Sequence, residues 1–146
     1  MENREISELM MENINNFTNL VKIINDERYS AEKVLTERQF FTLVSIRKHK
    51  KIELKNLSKN LYVSNSSLCI LLNKLVEQGY VYREEDPGDR RNTFYCITEK
   101  GDKIVKGEIE RLISIIGIKI DKLSVEQKER LFNCMIELDS MIKLLL

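Results

Sequence analysis

Apolar residues recur at helical spacing from the start of the chain. Ile6, Met10, Phe17, Val21 and Ile24 fall on one stripe, and Leu9, Ile14 and Leu20 widen it. That pattern predicts an amphipathic helix over about residues 3–25, ended by the polar stretch Asn25 to Lys33. Thr36 starts a second helix: its hydroxyl is a good N-cap, Gln39 stands three positions on to complete a capping box, and Leu35 and Phe40 suit a hydrophobic staple. This helix is expected to reach about Arg47 and to end in the basic run Arg47-Lys48-His49-Lys50-Lys51, where cations suit the helix dipole. A short helix follows over Leu54 to Asn60. Ser64 caps another that runs to about Gln78 and stops at Gly79. Leu68, Leu71, Leu72, Leu75 and Val76 mark its buried stripe. Ser66, Ile70, Asn73 and Glu77 lie opposite, flanked by Ser67 and Lys74.

The period then changes. Val81 to Glu85 and Thr93 to Ile97 read as strands, separated by the turn signal Asp86-Pro87-Gly88-Asp89-Arg90-Arg91-Asn92. Thr98 caps a further helix with Val105, Ile109, Leu112 and Ile116 in register, which Gly117 loosens near its end. Ser124 and Gln127 form a second capping box. The last helix carries Leu131, Met135, Leu138, Ile142 and Leu145 at alternating spacings of four and three, the seam of a helix that lies along another helix.

The predicted fold is therefore mainly α, of the α+β winged-helix kind. One domain carries a helix-turn-helix lobe with a β-hairpin wing at residues 34–101, and long helices at 1–33 and 102–146 flank it. Three long amphipathic helices exceed what so small a lobe can cover. A second copy of the chain is the default way to bury them, in a two-fold homodimer.

Composition sharpens this picture at four points. Five Gly and one Pro in 146 residues favour helices. The net charge of +1 is uninformative, but residues 36–101 hold twelve Lys and Arg against eight Asp and Glu, or +4. A basic middle between acidic ends suits a polyanion partner. No run of eighteen apolar residues exists to span a membrane, and the charged N-terminus lacks a signal-peptide core, so the expected location is the cytoplasm. Cys69, Cys96 and Cys134 are widely spaced and read as reduced thiols, Cys69 half-buried and the other two packed. One histidine, His49, cannot assemble a zinc site. No Gly-rich phosphate loop, metal cluster or nucleophile-base set is present, so neither an enzyme nor a cofactor is expected.

Several fragments together resemble the MarR family of bacterial regulators. They are Leu35-Thr36-Glu37-Arg38-Gln39, Leu57 to Ser64, Leu75 to Arg83, Asp89-Arg90-Arg91 and Ile97-Thr98-Glu99-Lys100-Gly101, in the family's order and spacing. The resemblance covers Leu35 to Gly101. It implies a transcriptional regulator acting as a homodimer on double-stranded DNA, with recognition helices in successive major grooves of a pseudo-palindromic operator, about 34–36 Å apart. It also implies a wing in the minor groove, with Arg91 inserted, Asp89 holding its guanidinium, and Arg90 on a phosphate. A small aromatic or amphipathic ligand is implied as effector, with Tyr62, Tyr80, Phe40 and Phe41 as candidate lining.

The residue chemistry agrees. Ser64, Asn65, Ser66 and Ser67 crowd a helix N-terminus, where hydroxyls and free N–H groups suit phosphates and base edges. Ser64 reads first as a cap; Ser66 and Ser67 read equally as cap neighbours and as DNA ligands. The run Arg47 to Lys51 reads as a solvated helix end. The chain departs from the family at Cys69 and Ile70, where Thr and Arg are common. Lys74 is then the one cation on the outward face. Ile70 can meet a thymine methyl but cannot pair with guanine, so A·T-rich sites or greater reliance on the wing are expected. The second reading is a winged-helix protein-interaction module, or a weak DNA binder that has lost tight operator recognition.

Overall fold

The computed structural model describes residues 2–30 and 34–146. Its elements are α1 (Asn3–Ser30), α2 (Glu37–His49), β1 (Lys51–Glu53), α3 (Leu54–Leu61), α4 (Asn65–Glu77), β2 (Val81–Glu85), β3 (Thr93–Ile97), α5 (Glu99–Ile120) and α6 (Val125–Leu145). They form two compact units, Ser30–Glu110 and Met1–Tyr29 with Arg111–Leu146.

The lobe Ser30–Glu110 begins with the predicted capping box. The Gln39 N–H donates to Thr36 Oγ1 at 3.2 Å, and the Thr36 N–H donates to Gln39 Oε1 at 2.9 Å. Such a cap contributes about 1 kcal/mol. Leu35 and Phe40, the expected staple pair, are both buried. The remaining amide of Gln39 is also satisfied: Nε2 donates to Gln78 Oε1 at 3.0 Å, tying the start of α2 to the end of α4. At that end Gly79 takes φ +76°, its N–H meets the Val76 carbonyl, and the Tyr80 N–H reaches back to Leu75. This is a Schellman cap, which needs the left-handed conformation glycine supplies.

β2 and β3 occupy the predicted residues and pair antiparallel from Val81↔Ile97 to Glu85↔Thr93. The sheet has a third strand that periodicity did not reveal. β1 pairs with the other edge of β3, with Ile52 opposite Tyr95, in the order β1-β3-β2. The basic run is thus divided: α2 ends at His49, Lys50 turns the chain with φ +62°, and Lys51 is already in the strand. Three residues hold no pattern of their own; the partner strand sets them. Leu43, Ile46, Ile52, Leu57, Leu68, Leu72, Leu75, Val81, Tyr95 and Val105 make the core.

Gly101 closes this lobe. A Cβ there would stand 2.2 Å from the Tyr80 carbonyl oxygen and 2.9 Å from Ile97 Cγ1. Thr98 Oγ1 donates to the Gly79 carbonyl at 2.7 Å and accepts from the Gly101 N–H at 3.0 Å. The hairpin exit and the first turn of α5 are thereby locked onto the end of α4.

The second unit differs from expectation in two helix lengths. α1 continues to Ser30 through the polar stretch predicted to end it, since Asn25, Asp26, Glu27 and Arg28 include neither Gly nor Pro; positions 31–33 lie outside the described residues. α5 passes through Gly117 to Ile120. Glu27 of α1 and Lys119 of α5 pair at 2.6 Å. The Ser124–Gln127 capping box forms, both legs present at 2.9 and 3.2 Å. α6 has no buried residue, and the five seam residues are 38–70% exposed. Cys134, read as a packing residue, is likewise exposed, as is most of α6. No helix among the described residues is long and apolar enough to cross a membrane.

Candidate nucleic-acid interface

Helix α4 divides as its sequence dictates. Leu68, Leu72 and Leu75 are buried, with Leu71, Val76 and Cys69 half-buried beside them. Ser66, Ser67, Ile70, Asn73, Lys74 and Glu77 are exposed on the other side. Ile70 is 73% exposed, high for an isoleucine in a helix with a well-formed apolar stripe. At the N-terminus Ser64 is the cap. Its Oγ accepts from the Ser67 N–H at 3.3 Å and donates to Ser67 Oγ at 3.0 Å, with Ser66 Oγ 3.3 Å away. Three hydroxyls and the first-turn N–H groups of Asn65 and its neighbours thus meet at one exposed helix end. That arrangement offers donors and a partial positive charge to an anion.

The turn before α4 carries an unusual residue. Tyr62 is left-handed at φ +54° and 95% exposed, its N–H bonded to the Lys59 carbonyl at 3.3 Å. Its hydroxyl and ring stand free on the turn of the helix-turn-helix. Of the four aromatic residues suggested as a ligand lining, Phe40 and Phe41 stand together and Tyr80 packs with Lys100. Phe40 is buried and meets half-exposed Phe41 edge-on at 5.5 Å, while Tyr80 lies under the Lys100 ammonium at 4.9 Å. Elsewhere on the lobe a cavity of about 340 Å³ is bordered by His49, Lys51, Ile52, Lys59, Asn60 and Phe94.

The wing tip is ordered by its own side chains. Asp86 Oδ1 accepts from the Gly88 N–H at 2.9 Å, and the Asn92 N–H closes onto the Asp89 carbonyl at 2.9 Å. Asp89 Oδ1 accepts from the Arg91 N–H at 3.0 Å. The acid therefore fixes the backbone of Arg91, whereas the family resemblance implied a grip on the guanidinium. Asp89, Arg90 and Arg91 are all exposed.

Sequence reasoning missed Arg83. It stands on β2 opposite Tyr95, with its guanidinium 6.0 Å from the Tyr95 ring centre, and its Nη2 donates to Oδ1 of Asn73 on α4. The signal was the period-2 alternation of the strand, which puts Arg83 on the same face as Val81, toward α4. On the opposite sheet face Tyr82, Cys96, Glu84 and Lys51 cluster. Cys96 Sγ donates to Glu84 Oε2 at 3.7 Å and Lys51 pairs with Glu84 at 3.3 Å. Burial pushes the Cys96 thiol up, and its hydrogen bond with Cys96 raises the Tyr82 phenol. Both groups are neutral at physiological pH.

Comparison with known proteins agrees with this geometry. Residues 35–93 match the model of the MarR family. The chain is 30% identical over 105 residues to the HTH-type transcriptional regulator SarZ of Staphylococcus haemolyticus, spanning 72% of this chain and 70% of that protein. Among solved structures, the transcriptional regulator Tm0710 from Thermotoga maritima matches with TM-score 0.75 at 26% identity, over 93% of this chain and 95% of its own. A MarR family protein from Bacillus stearothermophilus shares the fold with TM-score 0.79 at 20% identity, over 98% and 99%. This chain belongs to the MarR family of winged-helix, DNA-binding transcriptional regulators.

Proposed function

We propose that the protein is a sequence-specific repressor that binds double-stranded DNA as a homodimer in the cytoplasm. In this reading α4 enters the major groove, Arg91 enters the minor groove at the wing tip, and Arg90 meets a phosphate. The observation that carries it is the two-sidedness of α4. Its leucines are buried, and Ser66, Ser67, Ile70, Asn73 and Lys74 face outward beside an exposed Arg90-Arg91 tip. Ser64 and Asn65 place the helix N-terminus toward a phosphate, and Ile70 offers its methyl groups to thymine. The uncovered seam of α6 supports the dimer, whose half-sites lie about one helical turn apart. An effector that is small and aromatic or amphipathic completes the proposal.

The test is a fluorescence-anisotropy titration with DNA from upstream of the protein's own gene, against a scrambled duplex, at two salt concentrations. The reading requires selective binding whose affinity falls steeply with salt, because each neutralised phosphate releases a counterion. A second reading draws on the same helix. Lys74 is the one cation on its outward face, and exposed Ile70 suits a protein surface as well as a base pair. A winged-helix protein-interaction module, or a weak DNA binder, gives a shallow salt slope and no preference between the two duplexes.

A further inference from the structure

The contact between Arg83 and Asn73 restricts what the recognition helix can read. A guanidinium is a donor only, so the atom of the Asn73 amide that faces Arg83 has to be Oδ1. The flipped amide would set N–H against N–H. Arg83 is itself held: it sits in register on β2 opposite Tyr95, with the Tyr95 ring 6.0 Å from its guanidinium carbon. Oδ1 is therefore turned toward the wing strand, and Nδ2 with its two protons is left for a partner outside the protein. Asn73 is exposed, three positions from Ile70 on the same outward face.

We infer that Arg83 fixes the Asn73 amide with Nδ2 outward and a positive charge beside Oδ1, so that the pair selects guanine over adenine at the base pair it meets. The inference rests on the proposed entry of α4 into the major groove. An asparagine pairs with adenine by presenting both ends at once, oxygen to the N6 amino group and nitrogen to N7. Here Oδ1 already accepts from Arg83, and although it keeps a second lone pair, the guanidinium charge beside it repels the N6 protons that would use it. Guanine presents two acceptors, N7 and O6, and suits Nδ2 together with the spare N–H groups of Arg83. Ile70 reads a neighbouring step, so a thymine beneath it is compatible with a guanine opposite Asn73. Arg83 is thus a positioning residue, and Asn73 the residue that touches the base.

Selection from a random duplex pool tests this, with the wild type, Asn73→Ala, Arg83→Met and Arg83→Lys, each checked for an unchanged melting temperature. The wild type enriches a site with guanine at one position per half-site, and Asn73→Ala flattens that position alone. Arg83→Met shifts it toward adenine, changing the guanine-to-adenine ratio by roughly tenfold. Arg83→Lys, which still donates to Oδ1, keeps guanine. Adenine at that position in the wild type, or an unchanged guanine preference in Arg83→Met, overturns the inference while leaving operator binding intact. So does a selected motif that Asn73→Ala leaves unaltered. Enrichment of no motif by the wild type overturns the proposed function, and this inference with it.

Discussion

The two units of the chain solve the burial problem in opposite ways. In the lobe Ser30–Glu110, helices α2, α3 and α4, the sheet and the first turns of α5 enclose a core. Every buried apolar residue among the described ones belongs to it except Ile24. The other unit exposes Ile6, Leu9, Phe17, Leu131, Met135, Leu138 and Ile142. An exposed leucine is ordinary; a continuous apolar seam along two long helices is not. The lobe encloses its core as a single copy, and the outward face of α4 is mainly polar. The helical unit leaves its apolar seam uncovered among the described residues.

The sharpest way to break that contrast is to truncate one leucine in each unit. Leu72 is fully buried on α4, and Leu72→Ala is expected to destabilise the protein by about 2–5 kcal/mol. That loss, read by denaturant unfolding, is independent of protein concentration. Leu138→Glu on the α6 seam should leave the lobe's near-UV spectrum unchanged and convert dimer to monomer in sedimentation. Its melting temperature should then no longer rise with concentration. If Leu138→Glu sediments like the wild type, the seam is not the dimer contact, and the comparison between the units fails.

Gly101→Ala tests how the lobe is locked. The new methyl would meet the Tyr80 carbonyl, which belongs to the backbone and cannot rotate away. A loss of about 1–3 kcal/mol is expected, with the hairpin detached from α4 as the amide-exchange signature. Gly107→Ala, on the same helix with nothing within 4 Å, serves as the control and should be neutral or stabilising.

These contrasts also explain what the sequence could disclose. Thr36–Gln39, Ser124–Gln127, Ser64 and Gly79 were legible because capping chemistry is local, and β2 and β3 because each carries its own alternation and a strong turn between. β1 was not, since three residues take strand geometry from Tyr95 and its neighbours. The length of α1 was misread because a polar run was taken as a terminator, though nothing in Asn25 to Arg28 opposes a helix. In the candidate interface, the outward face of α4 followed from helical periodicity alone. Arg83 did not, because its contact with Asn73 joins positions ten apart across a cap and a strand. The role of Asp89 was inferred at the level of the pair, but which atom it grips depends on the turn geometry.

Removing Arg91 separates recognition from stability. Arg91→Ala should leave the unfolding free energy within about 0.5 kcal/mol of the wild type, as an exposed wing-tip change does. It should weaken operator binding through the lost minor-groove contact, whereas Arg90→Ala should reduce the slope of log affinity against log salt by about 0.9 for the one lost phosphate contact. Asp89→Ala is expected to weaken binding by a smaller factor, since it loosens the backbone of Arg91 and removes a negative charge at the same time. Unchanged affinity in Arg91→Ala together with an unchanged salt slope in Arg90→Ala would assign the wing no part in DNA contact.

The smallest effect concerns acid. Asp102, in the lobe's part of α5, accepts from Lys106 Nζ and from Arg47 Nε, each at 2.6 Å. Lys106 first and then Arg47 hold its carboxyl below the usual carboxylate range. A group depressed on folding adds stability above its unfolded pKa, and that stability is lost as pH falls through the folded value. The wild type should therefore lose a small increment of lobe stability as pH drops below about 4, and Asp102→Asn should lack that increment at every pH. Both pairs are solvent-exposed, so salt should shrink the difference. The ion pair joins α2 to α5 inside the lobe, so the acid-sensitive step should appear in lobe unfolding and leave dimer dissociation unchanged. An equal acid shift in both transitions would mean that the two units do not unfold as separate bodies.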